Sequence, residues 1–584
     1  KYTIHFDCHI IITMIISRKL YRKPGYFLKE ITRSKIIIQA ILTGLIAGIL
    51  VVLFKISITK TFNIIQNYIQ PFCFSKKMLI FPLITTLGGL ISGLLVCKIA
   101  PETKGSGIPY VKMAMARMGN VTRIRSIFVK FFAGIAGIGT GLSLGREGPS
   151  VQLGSGAGAL VGKFFKMKGT DKDKLIASGA GAGIAATFNA PIAGTLFVLE
   201  ELVNKFSPAL LFPVLIATVT AASIARYFLG INPSFKIPVL SPYVSIQTIF
   251  VCIILGLIAG FLGVAFAKVI FLNNKLYDKL SKIPDWFKPA IAGLITGIVG
   301  LYIPFVLGSG NSAVDMLLAN KFTFLTILVI FIAKFFITPF CFGSGAAGGI
   351  FLPMLMLGSF LGYLTGLGAE YFGLCINPTA MALIGMGAFL SAVARTPITA
   401  VVMVFEMTGG YSHILPIMLS AAIADLVAEK LGHKPIYSLL IVNQSIKSGE
   451  AKLLYNLKVK DFMSYNTESV NTTLTLQEVF EKFNTTEHKA FPILNKKSEL
   501  VGIVTKSNIE DSLFQGNKPN TTLEKIMNPQ PTTILPDENL YLAYYRLHTN
   551  NTEWLVVTDR RNRVKGIITR HDIQNAVEQH SQQN

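Results

Sequence analysis

Long apolar runs recur along this chain from about residue 36 to about residue 440. "IIIQAILTGLIAGILVVLF" (36–54) and "FLTILVIFIAKFFITPFCF" (324–342) are two of them. A hydrocarbon core about 30 Å thick is crossed by about 20 apolar residues in an α-helix. Inside it, every backbone N–H and C=O must be paired within the protein. The runs therefore predict a polytopic membrane protein built from helices. Charged residues make up only 15% of the sequence, which is low for a soluble protein of this size. Many runs are cut short by Gly or Pro, which predicts more helices than complete crossings.

"GLSLGREGPSVQLG" (141–154) sets a charged pair, Arg146 and Glu147, in the middle of such a run. An ionisable group at membrane depth is costly and marks a functional position. The run is one of three with a shared grammar: "GSGIPYVK" (105–112), "GREGPSV" (145–151) and "GSGAAGGIFLPM" (343–354) each place glycine just ahead of an apolar helical segment. A helix start presents unpaired N–H groups and the positive end of the helix dipole. Glycine admits close approach to that backbone, and proline suits the first turn. Together they make an anion site from neutral groups, which suits an ion that has to leave again. Close packing between transmembrane helices is the other use of such glycines. Three helix starts of one kind, one of them holding Glu147, favour an anion pathway.

The formal net charge is +24. The basic residues flank apolar runs and form no single patch, so they read as the positive-inside bias of membrane proteins and not as nucleic-acid binding. "SRKLYRKPGYFLKEITRSK" (17–35) predicts a cytoplasmic N-terminal segment. "HIIITMIIS" (9–17) is too short to span and lacks a cleavage signature, so it is not read as a signal peptide. The six cysteines form no CxxC pair and the eight histidines show no metal spacing, so neither a disulfide framework nor a metal site is expected. H-E-x-x-H, which an intramembrane metalloprotease needs, is absent, as is the phosphate-loop motif. A cation carrier would want convergent carboxylates in its spans. Glu147, Glu200, Glu201 and Glu406 exist, but the helix-start motifs favour anions.

The chain also repeats internally. "NAPIAGTLFVLEEL" (189–202) resembles "RTPITAVVMVFEMT" (395–408), matching Pro191 to Pro397, Ile192 to Ile398, Val198 to Val404 and Glu200 to Glu406. "GSG" at 105–107 recurs at 308–310, and the glycine-rich run after 145 has a partner in 345–362. Three matches in one order predict a duplicated membrane domain with a site between its halves. After Tyr437 the composition changes. A polar linker, "SIKSGEAKLLYNLK" (445–458), leads to a second repeat in which "VKDFMSYNTESV" (459–470) matches "LEKIMNPQPTTI" (523–534), and "VGIVTKSNI" (501–509) matches "KGIITRHDI" (565–573). Each unit reads as strand, helix, strand, strand, helix.

"GSGIP", "GREGP", "GIFLP" and "KPIYS" (434–438) stand in the order and spacing of the CLC chloride channels and proton-coupled chloride antiporters. The later tandem resembles a Bateman module of two CBS domains. The resemblance implies an all-α polytopic membrane domain with an inverted internal repeat, followed by an α/β tandem CBS domain. The expected limits are 1–35 for the N-terminal segment, 36–440 for transport (repeats at about 36–235 and 245–440), 441–458 for the linker, and 459–515 and 523–580 for the CBS units within 459–584. It also implies a homodimer in a lipid bilayer, the cell (inner) membrane if prokaryotic, with the CBS domains in the cytoplasm. The function implied is transport and not enzymatic catalysis.

Position by position, the resemblance makes Ser106 and Tyr437 side-chain donors to a central chloride, with the backbone N–H groups of Ile350 and Phe351 completing the shell. Proline in place of Ser106 is the family's nitrate-associated choice. Glu147 resembles the gating glutamate, which competes with chloride when ionised and releases its position when protonated. Arg146 beside it either tunes the local field or holds a carbonyl. By chemistry alone Glu200 and Glu201 suit a helix end equally; alignment on "NAPIAG" puts Glu201 at the internal proton-transfer position. CLC channels usually carry an apolar residue there, so the chain resembles an antiporter, with a passive chloride channel as the alternative. No cofactor is required. An adenine nucleotide in the CBS pair would use Thr569 and Asp572 for its ribose; the matching Thr505 and Asn508 lack the carboxylate. The alternative for the pair is dimer support without a ligand. Arg570 and His571 are either phosphate partners or solvated.

Overall fold

A computed structural model describes residues 24–69, 74–115, 123–167, 169–203, 206–235, 245–409, 413–445 and 449–581, the last stretch apart from 466, 487, 489, 496–497, 515–518, 530 and 550–551. They form two compact units that divide between Leu439 and Leu440. Most of the N-terminal segment, with "HIIITMIIS", Cys8 and Cys73, lies outside the described residues. Cys97, Cys252, Cys341 and Cys375 are free thiols.

The first unit is helical throughout, and its helices fall into two matching series. The first runs α1 (Pro24–Ile69), α2 (Phe74–Leu94), α3 (Ile108–Met115), α4 (Ile124–Thr140), α5 (Glu147–Phe164), α6 (Gly169–Phe188), α7 (Pro191–Phe197) and α8 (Pro208–Leu229). The second runs α9 (Ile246–Lys279), α10 (Lys288–Tyr302), α11 (Asn311–Leu318), α12 (Phe324–Gly343), α13 (Phe351–Tyr371), α14 (Pro378–Ala394), α15 (Pro397–Thr408) and α16 (Ile414–Lys430). A last helix, α17, covers Ile436–Ser445. Pro191, Pro208 and Pro397 each open a helix, where a missing N–H costs nothing.

Among the described residues six helices are long and apolar enough to cross a membrane: Lys35–Tyr68, Leu79–Ile99, Pro208–Leu229, Ile246–Lys279, Phe324–Gly343 and Phe351–Tyr371. Their outward faces are apolar, as with Leu83, Leu87 and Ile91 on α2 and Phe212 and Val219 on α8, while Lys130, Glu147, Glu201 and Lys334 are buried. Lipid as surroundings explains that inversion of the soluble pattern.

Glycine serves two purposes here. Where α5 packs on α6, a side chain on Gly154 would strike the Gly179 carbonyl and one on Gly179 the Gly154 carbonyl; Gly358 and Gly385 stand in the same mutual relation between α13 and α14. These are packing glycines. Glycines of the loops ahead of α3 and of its repeat counterpart α11 instead shape the backbone. Gly105 and Gly107 have φ of 65° and 90°, and Gly308 and Gly310 have 58° and 94°, values that suit residues without a Cβ.

Paired contacts show the relation between the halves. Lys130 Nζ donates to the carbonyls of Thr103 and Gly105 at 2.8 and 2.6 Å; Lys334 Nζ donates to those of Val306 and Gly308 at 2.9 and 2.7 Å. Each lysine thereby ties a helix of its own repeat to the loop ahead of α3 or α11. Gly145 N–H donates to Gly349 O at 2.7 Å, and Gly349 N–H returns the bond to Gly145 O at 2.6 Å, in an antiparallel bridge. Reciprocal contacts of this kind are what a two-fold relation between repeats produces.

The second unit begins with α18 (Gly449–Asn456), followed by β1 (Val470–Asn471), α19 (Leu476–Thr485), β2 (Ala490–Leu494), β3 (Leu500–Thr505) and α20 (Lys506–Phe514). Then come β4 (Thr533–Ile534), α21 (Leu540–Thr549), β5 (Trp554–Thr558), β6 (Val564–Thr569) and α22 (Arg570–Ser581). The stretch read as a polar linker is thus partly helical, because Ala451, Lys452, Leu453 and Leu454 are good helix formers. In both sheets the first strand pairs parallel with the second, and the second antiparallel with the third. The lead-in to each repeat crosses to the other's sheet: Ser464 pairs with Ile567, and Asn528 with Ile503. The aligned Met463 and Met527 pack on Gly566 and Gly502, and Ala490, Leu500, Ile503 and Val556 form an apolar seam between the repeats.

Candidate functional site

Three loops meet in the first unit. Gly348 N–H donates to Gly105 O at 3.1 Å, joining the loop ahead of α13 to the loop ahead of α3. The Gly145–Gly349 bridge joins the start of α5 to the same α13 loop. Ser106 Oγ lies directly against Gly148, in the first turn of α5. Ser106, Glu147, Ile350 and Phe351 are thereby brought to one place, each fully or almost fully buried. Ile350 is the N-cap of α13 and Phe351 its first residue, so their N–H groups belong to the turn that has no intrahelical partner. The Phe351 ring packs against Phe188 and Phe197 at 5.7 and 6.0 Å between centroids.

Glu147 is the first residue of α5 and is wholly buried. One carboxylate oxygen, Oε2, accepts a long bond from Leu352 N–H at 3.4 Å, across the repeat boundary. The other, Oε1, has no partner among the described residues; neither has Ser106 Oγ or Tyr437 OH. Buried polar atoms are rarely left unpaired, and Glu147 Oε1 and Ser106 Oγ are left so at one convergence of helix starts. Tyr437 lies within electrostatic range of Glu147 and Glu201, and Ser438 beside it is bonded to the α3 helix through Lys112. Arg146 is the N-cap of α5, where its carbonyl accepts from Ser150 N–H and Oγ; its Nε has no partner among the described residues.

Glu200 and Glu201 are separated by local geometry. After α7 the helix widens into a π-turn over Val198–Leu202, a feature common at functional positions. The Glu200 carboxylate caps α15, accepting from Ile398 N–H at 3.2 Å and from Thr399 N–H and Oγ1 at 2.7 and 2.6 Å. Glu201 turns inward, is 1% exposed, and pairs with Lys112 Nζ at 2.8 Å. Glu406, the partner of Glu200 in the repeat, caps α7 through Ile192 and Ala193 N–H.

Lys112, Lys130 and Lys334 were missed by the sequence reading. For the latter two a signal existed: "VKFF" (129–132) and "AKFF" (333–336) sit at matching places in the two repeats. The two-fold pattern also sorts the residues. Lys130 and Lys334, Glu200 and Glu406, and Gly145 and Gly349 are the same in both halves and hold the frame. Glu147 is matched by Phe351, Glu201 by Met407 and Lys112 by Asp315. The repeat symmetry is broken at these positions, which gather at the three loops and the π-turn.

In the second unit, Asp572 Oδ2 accepts from Thr569 N–H and Oγ1 at 2.8 and 2.7 Å, while Asn508 Oδ1 accepts from Thr505 N–H and Oγ1 at 3.1 and 2.7 Å. In both repeats the side chain closes a cap at the helix start, and the amide does so as the carboxylate does. The Arg570 guanidinium is turned to the carbonyls of Thr552 and Leu547. Among the described residues no group of three or more His, Cys, Asp or Glu could hold a metal ion.

Comparison with known proteins agrees with this geometry. Residues 88–429 match the voltage gated chloride channel family, and residues 459–514 and 523–579 each match the CBS domain. The H(+)/Cl(-) exchange transporter ClcA of Yersinia pseudotuberculosis serotype IB is 35% identical over 451 residues, covering 74% of this chain and 93% of the relative. The ClcA of Vibrio parahaemolyticus is 35% identical over 421 residues, covering 70% and 90%. Among solved structures, a slow cyanobacterial Cl-/H+ antiporter superposes with a TM-score of 0.66 at 31% identity, over 71% of this chain and 98% of its own. A eukaryotic CLC transporter, at 19% identity, shares the fold over 93% of this chain and 98% of its own, with a TM-score of 0.64. Helix order, paired loops and sequence likeness coincide, and the chain belongs to the voltage gated chloride channel (CLC) family, with two CBS domains following its membrane domain.

Proposed function

We infer that this protein exchanges chloride for protons across a membrane. The observation that carries the reading is Glu147, a buried carboxylate at a helix start, with one oxygen unpartnered, beside the loop whose Ser106 hydroxyl is also unpartnered; the buried Tyr437 hydroxyl, in the first turn of α17, is unpartnered too. A carboxylate placed there, accepting from Leu352 N–H, takes up an anion position at the helix start. When it takes a proton it gives up both its charge and that claim. The relatives and one structural neighbour at 31% identity, all named as chloride/proton exchangers, support the same reading.

In it, Ser106, Tyr437 and the N–H groups of Ile350 and Phe351 hold the central chloride, Glu147 gates it, and Glu201 passes protons inward. A channel needs no second carboxylate, and Glu201 is buried at the cost such a group carries. The working form is a homodimer in the bilayer, with the CBS pair on the cytoplasmic side. If the CBS pair binds an adenine nucleotide, it does so in the cleft of Thr569 and Asp572.

The test is a chloride gradient across proteoliposomes holding the purified chain, with external pH recorded. Proton movement driven against its own gradient is expected. Chloride flux without proton movement would assign a passive channel.

A further inference from the structure

Lys112 is buried in the membrane unit, and the exchange reading leaves it without a task. Its Nζ donates to Glu201 Oε1 at 2.8 Å and to Ser438 Oγ at 2.9 Å. It lies on α3, the short helix that begins just after Ser106. Ser438 follows Tyr437 in sequence. One ammonium group thus joins the helix behind Ser106, the π-turn that carries Glu201, and the turn that presents Tyr437. Lys112 is also one of the residues that break the repeat symmetry.

We propose that Lys112 is a positioning residue that links the proton on Glu201 to the chloride between Ser106 and Tyr437; this rests on Glu201 being the inner proton-transfer group. With Glu201 ionised, the ion pair is closed and the ammonium charge is neutralised. When Glu201 takes a proton, the ammonium loses its counter-ion. A buried charge without a partner is strongly disfavoured, so an anion at the adjoining site is then bound more tightly. Linkage makes the effect reciprocal: chloride favours the proton on Glu201, and the proton favours chloride. The other groups near the pair are Glu200, whose carboxylate is engaged by Ile398 and Thr399, the Tyr437 phenol, and Glu147 beyond it.

The test is calorimetric titration of chloride into the full-length protein at two pH values, one near neutral and one near 4.5, in a Glu147→Gln background so that the gate no longer titrates. The parent should gain about 5-fold or more in chloride affinity at the lower pH, the small end of ordinary coupling. Adding Lys112→Met should hold the change within about 2-fold, and Lys112→Arg should restore it. Lys112→Gln combined with Glu201→Gln, a neutral pair that retains hydrogen bonding, should also abolish it and guards against loss of fold in the single variant. A pH-dependent gain that survives both Lys112→Met and the double variant overturns the proposal. The reading beneath it is tested separately: proton transport that survives Glu201→Gln in an otherwise native chain removes Glu201 from its role, whatever Lys112 does.

Discussion

Glu200 caps the helix on which Glu406 resides, and Glu406 caps the helix that runs into the turn carrying Glu200. Glu200, on the turn that follows α7, accepts from the first N–H groups of α15, and Glu406, on α15, accepts from those of α7. A carboxylate at a helix start satisfies donors that have no intrahelical partner and lies favourably in the helix dipole. Glu200→Ala and Glu406→Ala should each destabilise the protein by roughly 1–2 kcal/mol, read as a lowered melting temperature in detergent. Glu200→Gln should keep proton-coupled flux. Loss of coupling in that variant, with Glu201→Gln still coupled, would exchange the two assignments.

Glu147→Gln should carry chloride without moving protons. The amide retains the shape of the side chain but neither its charge nor its proton chemistry. Both fluxes are recorded in vesicles, and pH-driven chloride uptake that survives the change would remove Glu147 from the gate.

Ser106→Pro should raise nitrate coupling relative to chloride. The Ser106 hydroxyl is buried and unpartnered, so it offers one directed hydrogen bond to a compact anion. Selectivity unchanged in parallel nitrate and chloride uptake assays would mean that the hydroxyl does not face the ion.

Lys130 and Lys334 make the same two bonds in their own repeats, yet their replacements should differ. Lys334→Met takes the lysine donor from the buried carbonyls of Val306 and Gly308, whereas in Lys130→Met the Thr103 carbonyl loses its lysine donor but the Gly105 carbonyl keeps Gly348 N–H, at about 1–3 kcal/mol for each group left unsatisfied. The larger loss of thermal stability is expected for Lys334→Met. Only Lys130 holds the carbonyl of Gly105, next to Ser106, so only Lys130→Met should weaken chloride binding measured by calorimetry. Equal chloride affinities in the two variants would show that the loop needs no such anchor.

Adenine nucleotide should bind the CBS pair weakly or not at all. Asp572 is already engaged by Thr569 through one oxygen, and the Arg570 guanidinium is turned to carbonyls. ATP, ADP or AMP added to the full-length protein raises its melting temperature only if one of them binds the folded state. Where a rise is seen, Asp572→Ala should abolish it and Asn508→Ala should leave it; the reverse order would place the ligand in the other cleft.

The fold was legible where the sequence repeats itself. "NAPIAG" and "RTPITA" located the duplicated halves, and the glycine ahead of each apolar segment located the helix starts, because both depend on local chemistry. Glu147 stood out because a carboxylate is conspicuous in an apolar run. Lys112 and Lys130 did not: a lysine in or beside an apolar stretch also reads as a span end, and their partners are set by tertiary contact. Lys112 meets Glu201 and Ser438 only once three distant segments have packed. By chemistry alone Glu200 and Glu201 were indistinguishable for the same reason, and only the resemblance around "NAPIAG" separated them, since a π-turn that aims adjacent side chains apart leaves no mark in composition.

Gly145 and Gly349 bond each other at the crossing of the two halves, each through both its N–H and its C=O. Neither helix start can slide or tilt alone without breaking that double latch. In the exchange reading proposed above, movement at this point then falls to the Glu147 side chain over a backbone held by that latch. Movement confined to one side chain requires no rocking of one half against the other, so on that reading a covalent strap placed across the halves away from the three loops should leave turnover intact.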